Sequence, residues 1–272
     1  MSTYTAPPTY TFGTAPSPAA QSSVFSVPAR HNPRLQTLVE RINADDELRQ
    51  LWRCANVNAV ERLGLSDHGE THIRIVANAG LRLLRLLMES GHPASLVSDH
   101  GLSREDAEVV VVLAAALHDV GLVVHYERHH EFGLALAQEK ARSLLTGLYP
   151  VRERTILLAE VLHAIAVHLN GLPCLTLEAG VLRVADALDM TKGRSRAPES
   201  GDASGAIEEV ALLRGEHRPV RVEVRLRQAA GATHAAEVLR RRLEASTLAG
   251  LVEVYARLDD QNGRQLLAIP VD

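Results

Sequence analysis

Residues 113–121 read LAAALHDVG and place an adjacent histidine and aspartate, His118 and Asp119, at the end of an apolar helix. The preceding run VVVVLAAAL (109–117) has no polar residue, which predicts a helix at the centre of the protein. An ionisable His–Asp pair is costly to bury there unless another charge compensates it. A divalent cation would do so, because imidazole nitrogen and carboxylate oxygen are both good ligands for such ions.

Two further apolar helices carry candidate ligands for the same cation. His72 shares a helical face with Val76 and Leu83, so its imidazole is expected to point toward the core. Downstream, VLRVADALDM (181–190) places Asp186 within another apolar helix. The His118-Asp119 pair alone is weak evidence, since such pairs at helix ends are common; the prediction depends on the joint set.

Composition indicates an ordinary globular chain of 272 residues, with 46% hydrophobic, 23% charged and only 3% aromatic residues. A core built from Leu, Val, Ala and Ile favours packed helices. The net charge of −4 gives no support for nucleic acid as a partner, although nucleic-acid ends remain conceivable substrates. With two cysteines, no apolar run long enough for a membrane and no signal-peptide pattern, we expect a cytoplasmic protein with no membrane partner.

Three regions follow from the pattern along the chain. Residues 1–30 are rich in Pro, Ser, Thr and Ala and are expected to be a disordered tail. Residues 31–200 are predicted to be helical, with a helix over 68–90 that Asp67 caps and another that begins after the cap Ser103. The sequence predicts a small α+β domain over residues 201–272, with the Gly/Ser-rich stretch 198–205 marking its boundary. Further helices are expected over 32–65, 129–146, 152–169, 176–190 and 233–245, and strands over 220–227, 251–258 and 265–269.

In chain order, His72, the pair His118-Asp119 and Asp186 resemble the H…HD…D signature of the HD-domain superfamily. The flanking residues agree, with H-x3-V at 72–76, Gly121 two residues after the pair and VAD at 184–186. The resemblance covers about residues 60–200. It implies a mainly α fold, an HD-domain helical bundle followed here by the small C-terminal α+β domain, and metal-dependent phosphohydrolase activity.

Two further elements resemble the branch of this superfamily that holds two metal ions. His129 and Gly133 have the H-x3-G spacing, and AIAVH (164–168) resembles the AIxxH element. The resemblance implies that Asp119 bridges two cations and is the catalytic carboxylate; a mononuclear site is the alternative if either histidine faces elsewhere. The implied metal ligands are His72, His118, Asp119, His129, His168 and Asp186.

Other histidines have plainer explanations. His130 is expected at the surface or behind the ligands, or in place of His129 if the helix is shifted by one residue. His163 lies about 140° around an ideal helix from His168 and should not reach the same ion. His68, one turn before His72, is either an outer contact of the site or a residue of the helix start.

The segment TKGRSR (191–196) would supply positive charge for a phosphate. By resemblance, Lys192 and Arg194 are the candidate substrate-binding residues; the alternative is a solvated basic turn at a helix C-terminus. One departure is Leu122, where many HD families have lysine after HDxG. The chain also lacks the GYP element of cyclic-di-GMP phosphodiesterases. LDMTKGRSR followed by a short α+β tail is more similar to archaeal-type uncharacterised HD hydrolases.

The expected function is hydrolysis of a nucleotide-like phosphomonoester or phosphodiester, or of a cyclic phosphate, by metal-activated water. One or two divalent ions, Mn, Ni, Co, Fe, Zn or Mg, would be the cofactor. Two other functions stay open: a regulatory module that binds nucleotide or metal without catalysis, and a di-iron oxygenase of the HD type. The strand 220–227 could pair with a second copy in a homodimer.

Overall fold

Nine helices and one sheet make up the part of the chain that the computed structural model describes, residues 25–169, 171–190, 206–260 and 263–271. The helices are α1 (Pro33–Ala44), α2 (Asp46–Asn56), α3 (Glu70–Glu89), α4 (Ser95–His100), α5 (Arg104–Leu117), α6 (His129–Leu145), α7 (Val151–Val167), α8 (Leu177–Ala187) and α9 (Ala230–Glu244). A π-helical segment (Val57–Arg62) follows α2, and a 3₁₀ segment (Val120–Val123) follows α5. The strands are β1 (Ile207–Arg214), β2 (Val220–Leu226), β3 (Val252–Asp260) and β4 (Gly263–Ile269). The expected fold class, mainly α with a small C-terminal α+β unit, is confirmed.

The central helix is α5, which packs against α3, α7, α8 and α1. Every side chain from 107 to 117 is buried, as the apolar run predicted. The helix begins at the expected cap: Ser103 Oγ accepts from Asp106 N, and Asp106 Oδ2 accepts from Ser103 N. This reciprocal pair satisfies backbone donors that the first turn leaves unpaired. Trp52 fixes the far end by donating from Nε1 to the Ala116 carbonyl over 2.8 Å.

The segment before α1 is packed against the helical body. Residues 1–24 of the expected tail lie outside the described residues, whereas 25–30 are described. Phe25 is 1% exposed and its ring lies 5.9 Å from that of Trp52. The Asn43 amide also brackets the Phe25 backbone, donating to its carbonyl and accepting from its N–H. One aromatic side chain therefore anchors the last residues of a segment whose composition had indicated disorder.

The bounds of the predicted helices agree with the sequence patterns to within a few residues, with one informative difference at α3, while the short helix α4 was not predicted. The expected cap Asp67 does not cap this helix; the N-cap is Gly69, and α3 begins at Glu70. Asp67 Oδ1 accepts instead from Gly69 N, so it closes the turn before the helix. At the other end the chain leaves the helix through Gly91, whose φ of +89° suits glycine. The single helical stretch expected over 32–65 is divided into α1, α2 and the π-helical segment.

The C-terminal unit is a four-stranded sheet in the order β1-β2-β3-β4, with α9 connecting β2 to β3. The β1–β2 and β3–β4 pairs are antiparallel, and β2–β3 is parallel. The helix α9 packs on β2 and on α8, which joins this unit to the helical body. Sequence patterns gave β2, β3, β4 and α9 but missed β1. No helix in the described ranges has the length and hydropathy required to span a bilayer.

Candidate metal centre

The structure brings together all six residues predicted to be metal ligands, although they come from six different elements. His72 lies on α3, His118 ends α5, Asp119 precedes the 3₁₀ segment, His129 begins α6, His168 ends α7, and Asp186 lies in the last turn of α8. All six side chains are buried or nearly so; that of Asp186 is 13% exposed. We refer to these six residues as the His/Asp cluster.

The four imidazoles of the cluster share one arrangement. The Nδ1 atoms of His118, His129 and His168 lie 2.7–2.8 Å from the carbonyl oxygen three residues earlier. The fourth, His72 Nδ1, lies 2.7 Å from Asp189 Oδ2. Because these oxygens can only accept, each Nδ1 carries the hydrogen and each Nε2 has a lone pair or an exchangeable proton directed into the cluster. This is the tautomer and orientation that a metal-binding histidine requires.

Four ligand atoms form a compact group on one side of the cluster. His72 Nε2 lies 3.3 Å from His118 Nε2, and 3.4 Å from both Asp119 Oδ2 and Asp186 Oδ1. His118 Nε2 lies 3.4 Å from Asp119 Oδ2 and 3.8 Å from Asp186 Oδ1. A tetrahedral shell with metal–ligand distances of roughly 2.0–2.2 Å would space its ligand atoms about 3.3–3.6 Å apart. The group therefore fits around one divalent cation with little adjustment.

A second group faces the other oxygen of the same aspartate. His129 Nε2 lies 3.2 Å from Asp119 Oδ1. The ligand atoms of His118, Asp119 and His168 all lie within 4.8 Å of one another, and the His129 and His168 rings are 5.5 Å apart. Among the described residues, His129 Nε2 and His168 Nε2 are buried without a hydrogen-bond partner. Since such orphaned atoms are costly, a ligand between them and Asp119 would satisfy all three.

Two glycines explain why His129 reaches Asp119. The backbones of Gly121 and Gly133 pass so closely that a Cβ on Gly121 would lie 1.9 Å from the His129 carbonyl oxygen. A Cβ on Gly133 would lie 2.9 Å from Gly121 N. Only residues without side chains allow the first turn of α6 to rest on the 3₁₀ segment. The spacing of HDxG and H-x3-G therefore has a steric cause.

The pKa values of His72 and Asp186 are shifted in opposite directions. Burial alone would lower the pKa of His72, but its hydrogen bonds with Asp186 and Asp189 raise that pKa to about 10. Burial would raise the pKa of Asp186, yet the bond to His72 holds it below its ordinary value. A proton on His72 thus offsets part of the negative charge of these carboxylates at neutral pH. A divalent cation would replace that proton.

The pKa of His168, in the second group of ligand atoms, is shifted in the opposite direction from that of His72. Burial and the neighbouring His118 lower the pKa of His168 to about 3, so its ring is neutral. Burial would raise the pKa of Asp119, but the neighbouring His118 and His129 lower it well below the usual value. An ionised carboxylate beside a neutral imidazole is the protonation state in which both groups bind a cation.

Two contacts to the cluster were not identified from the sequence. Asp189, in the string VADALDM, lies three residues after Asp186, just past the end of α8, and accepts from His72 as described above. Arg242, near the end of α9, places Nη2 3.2 Å from Asp186 Oδ2 and donates from Nη1 to the His168 carbonyl over 2.7 Å. Spacing within one helix could have suggested Asp189. No sequence signal connects Arg242 with a site more than fifty residues away.

The other histidines have separate positions. His163 accepts from Leu175 N over 3.1 Å and is not part of the cluster, as expected. His130 lies beside the cluster, with its ring 6.0 Å from that of His129. His129 is the residue that approaches Asp119, so the helix register is the expected one. His68 lies beside His72, with ring centroids 5.3 Å apart. The expected phosphate-binding residues Lys192 and Arg194 lie outside the described residues.

An open cavity of about 390 Å³ leads from the surface to the cluster. Asp119, His129, His168 and Asp186 form its floor, and Arg242 lines it. Its remaining walls include His68, Tyr126, Glu127, Arg128, His130 and Leu169. A small ligand can therefore reach both groups of ligand atoms from solvent, which a purely structural metal site would not need.

Comparison with known proteins agrees with the geometry. A family model described as "HD domain" matches residues 70–191, which span the cluster from His72 to Asp186. The chain is also 39% identical, over 216 residues, to the uncharacterized protein MJ1020 of Methanocaldococcus jannaschii. That match covers 77% of this chain and 83% of the archaeal protein. The chain therefore belongs to the HD-domain superfamily of metal-dependent hydrolases.

Proposed function

We propose that the protein is a binuclear metal-dependent phosphohydrolase whose ligands are the six residues of the His/Asp cluster. The observation that carries the proposal is the common orientation of four imidazoles, each with Nδ1 bound to an acceptor and Nε2 directed toward a buried carboxylate. Histidines that are merely packed in a protein core do not require this arrangement, whereas histidines that coordinate a metal do require it.

The ligands divide between two ions. His72, His118 and Asp186 would hold the first, because their ligand atoms form the compact group with Asp119 Oδ2. His129 and His168 would hold the second beside Asp119 Oδ1. Asp119 would bridge the two. A mixed imidazole and carboxylate shell favours Mn, Fe, Co, Ni or Zn over Mg.

Bound divalent ions would supply Lewis acidity and an activated water at neutral pH. The chain's own residues fix the geometry for that chemistry. Asp189 holds the His72 ring through Nδ1, and three main-chain carbonyls hold the other rings, so little reorganisation is needed when a ligand arrives. The apolar residues of α5 close the inner side of the site, which leaves the cavity as the route for water and substrate.

The substrate proposed is a small phosphorylated compound, nucleotide-like or a cyclic phosphate. The cavity is of a size that small ligands occupy, and its exposed Tyr126 offers an aromatic surface near its mouth. Lys192 and Arg194 follow α8 directly in sequence and remain the proposed partners of the phosphate. Homodimer formation remains a prediction of the sequence.

The test is metal content and hydrolysis measured together. Purified protein would be stripped, reloaded with Mn²⁺, Co²⁺, Ni²⁺ or Mg²⁺, and assayed with nucleoside monophosphates, cyclic nucleotides and bis-p-nitrophenyl phosphate. Asp119→Asn is expected to lose both ions and to reduce hydrolysis to the rate without enzyme, since it removes the bridging carboxylate. Asp99→Asn, at an exposed position on α4, is the matched control and should retain both.

The outcomes also separate the other two functions. Wild-type protein that binds the ions but hydrolyses none of these phosphates would contradict the proposal and favour a regulatory module. Oxygen consumption by the iron-loaded protein, without phosphate release, would instead indicate an oxygenase. Unchanged hydrolysis by Asp119→Asn would refute the assigned site.

A further inference from the structure

Arg242 connects the C-terminal unit to the candidate metal centre. It lies near the end of α9, and its side chain is 21% exposed where it lines the cavity. The neighbouring arginines of the helix behave differently. Arg240 and Arg241 form exposed ion pairs with Glu244 and Glu237 of the same helix.

Two contacts hold the Arg242 guanidinium in place. Nη2 lies 3.2 Å from Asp186 Oδ2, the oxygen of that carboxylate opposite to the one that faces His72. Nη1 donates to the His168 carbonyl over 2.7 Å. Arginine has five N–H donors in a planar fork, so these two acceptors leave it with further donors on the same rigid group. The fork is thus positioned before any ligand binds.

The base of this arrangement is itself fixed by a buried arginine. Arg183 on α8 is 1% exposed and donates to the carbonyl of Ala245, the residue that ends α9. It also donates to the carbonyls of Val167, Leu169 and Leu172. The end of α9 that carries Arg242 is therefore tied to the end of α7 that carries His168.

We infer that Arg242 binds an oxygen of the substrate's phosphoryl group, so that the C-terminal unit completes the catalytic cleft. The inference rests on the proposed function. A guanidinium stays protonated at any working pH and can donate two parallel hydrogen bonds to a phosphate. Arg242 stands on the cavity side of both groups of ligand atoms, where a phosphoryl group held by the ions would bring additional negative charge.

The competing explanation is that Arg242 only positions Asp186 and docks α9. The two roles predict different effects of replacing Arg242 on metal binding. A positioning residue would lower metal affinity when replaced, whereas a phosphate-binding residue would lower phosphate affinity with the metal content unchanged. Measurements of metal content and of phosphate binding on the same preparations therefore separate them.

The experiment compares wild type, Arg242→Gln, Arg242→Lys and the control Arg241→Gln, all loaded with Mn²⁺. Metal per chain is measured by mass spectrometry, binding of inorganic phosphate by calorimetry, and KM and kcat with p-nitrophenyl phosphate. Loss of a charge-assisted hydrogen bond predicts that Arg242→Gln weakens phosphate binding and raises KM by roughly tenfold or more. Its Mn²⁺ content should match wild type. Arg242→Lys should be intermediate, because lysine retains the charge but not the fork, and Arg241→Gln should be unchanged.

Other results would overturn the inference. Unaltered phosphate affinity and KM in Arg242→Gln would refute it and leave the proposed function standing. Loss of Mn²⁺ in parallel with phosphate affinity would assign Arg242 a positioning role only. If Arg242→Gln fails to fold, Arg242→Lys is the test. Phosphate affinity and KM equal to those of wild type in Arg242→Lys would refute the proposed role of the Arg242 guanidinium. Wild-type protein without Mn²⁺ binding or hydrolysis would refute the proposed function, and the inference with it.

Discussion

Replacing Gly121 with alanine is expected to displace one side of the His/Asp cluster and leave the other intact. The new Cβ would lie 1.9 Å from the His129 carbonyl oxygen, 2.6 Å from Gly133 N and 2.8 Å from Gly133 Cα. All three are backbone atoms, so no side-chain rotation relieves the contact. Because a carbon and an oxygen need about 3.3 Å between them, the first turn of α6 has to move by more than about 1 Å.

That displacement is large for a metal ligand. Coordination distances are held to within about 0.2 Å, so His129 would leave the second ion. His72, His118 and Asp186 come from α3, α5 and α8, which this contact does not touch. Overpacking of this kind typically costs about 1–3 kcal/mol of the free energy of unfolding. We therefore expect Gly121→Ala to fold less stably and to bind one Mn²⁺ per chain, where the proposed function predicts two for wild type.

The assay is Mn²⁺ per chain after dialysis, combined with urea unfolding. Gly180→Ala is the control for overpacking away from His129, because its Cβ would lie 2.2 Å from the Thr247 side-chain oxygen and 3.1 Å from Thr247 N, a milder collision at the contact of α8 with the C-terminal unit. It should lose stability and keep both ions. If Gly121→Ala retained two ions with unchanged affinity, the position of His129 would not depend on the close contact between Gly121 and Gly133.

Two further replacements test groups around the cluster and in the core. Asp189→Asn removes the carboxylate that orients His72, and Mn²⁺ affinity measured by titration should fall roughly 10–100-fold; unaltered affinity would mean that the ring is held by other contacts. Asp106→Asn breaks the capping box and the contacts with Arg34 and Tyr149, so the free energy of unfolding at pH 7 should fall by about 2 kcal/mol. Burial would raise the pKa of Asp106, but its hydrogen bonds, those from Ser103 first, lower it. Its stabilisation is therefore present above the unfolded carboxyl pKa of about 3.9 and is lost as pH falls through the lower folded value. In urea unfolding the difference between wild type and variant should be constant from about pH 5 to 8 and narrow below about pH 4; a constant difference down to pH 2 would contradict this assignment.

Local patterns predicted much of the fold. The apolar run before His118 and the capping box at Ser103 made it possible to predict α5, and both are local features of the sequence. The N-terminus of α3 could not be placed as well, because Asp67 and Gly69 offer competing ways to begin the helix. The strand β1 was missed for a physical reason: its pairing shifts between Ile207 and Glu209, which interrupts the alternation that marks a strand.

The candidate site was predictable where its residues belong to a motif. The six side chains of the His/Asp cluster converge as the sequence indicated, and their role as ligands stays a prediction. Arg242 could not have been found, because its position depends on how α9 packs on α8, and that packing is decided by contacts between distant parts of the chain. The spacing of Asp189 from Asp186 could have suggested that it lies near the site, but the sequence alone does not show that its carboxylate contacts His72.

The buried Arg183 has a practical consequence for work on this protein. Because it donates to carbonyls at the ends of α7 and α9, it joins the C-terminal unit to the helical body. A fragment cut before β1 would leave this charge short of one acceptor in a dry interior and strip the cleft of a wall. Kinetic or metal-binding constants measured on such a fragment would describe a damaged molecule, so the proposed hydrolysis should be tested on the full chain.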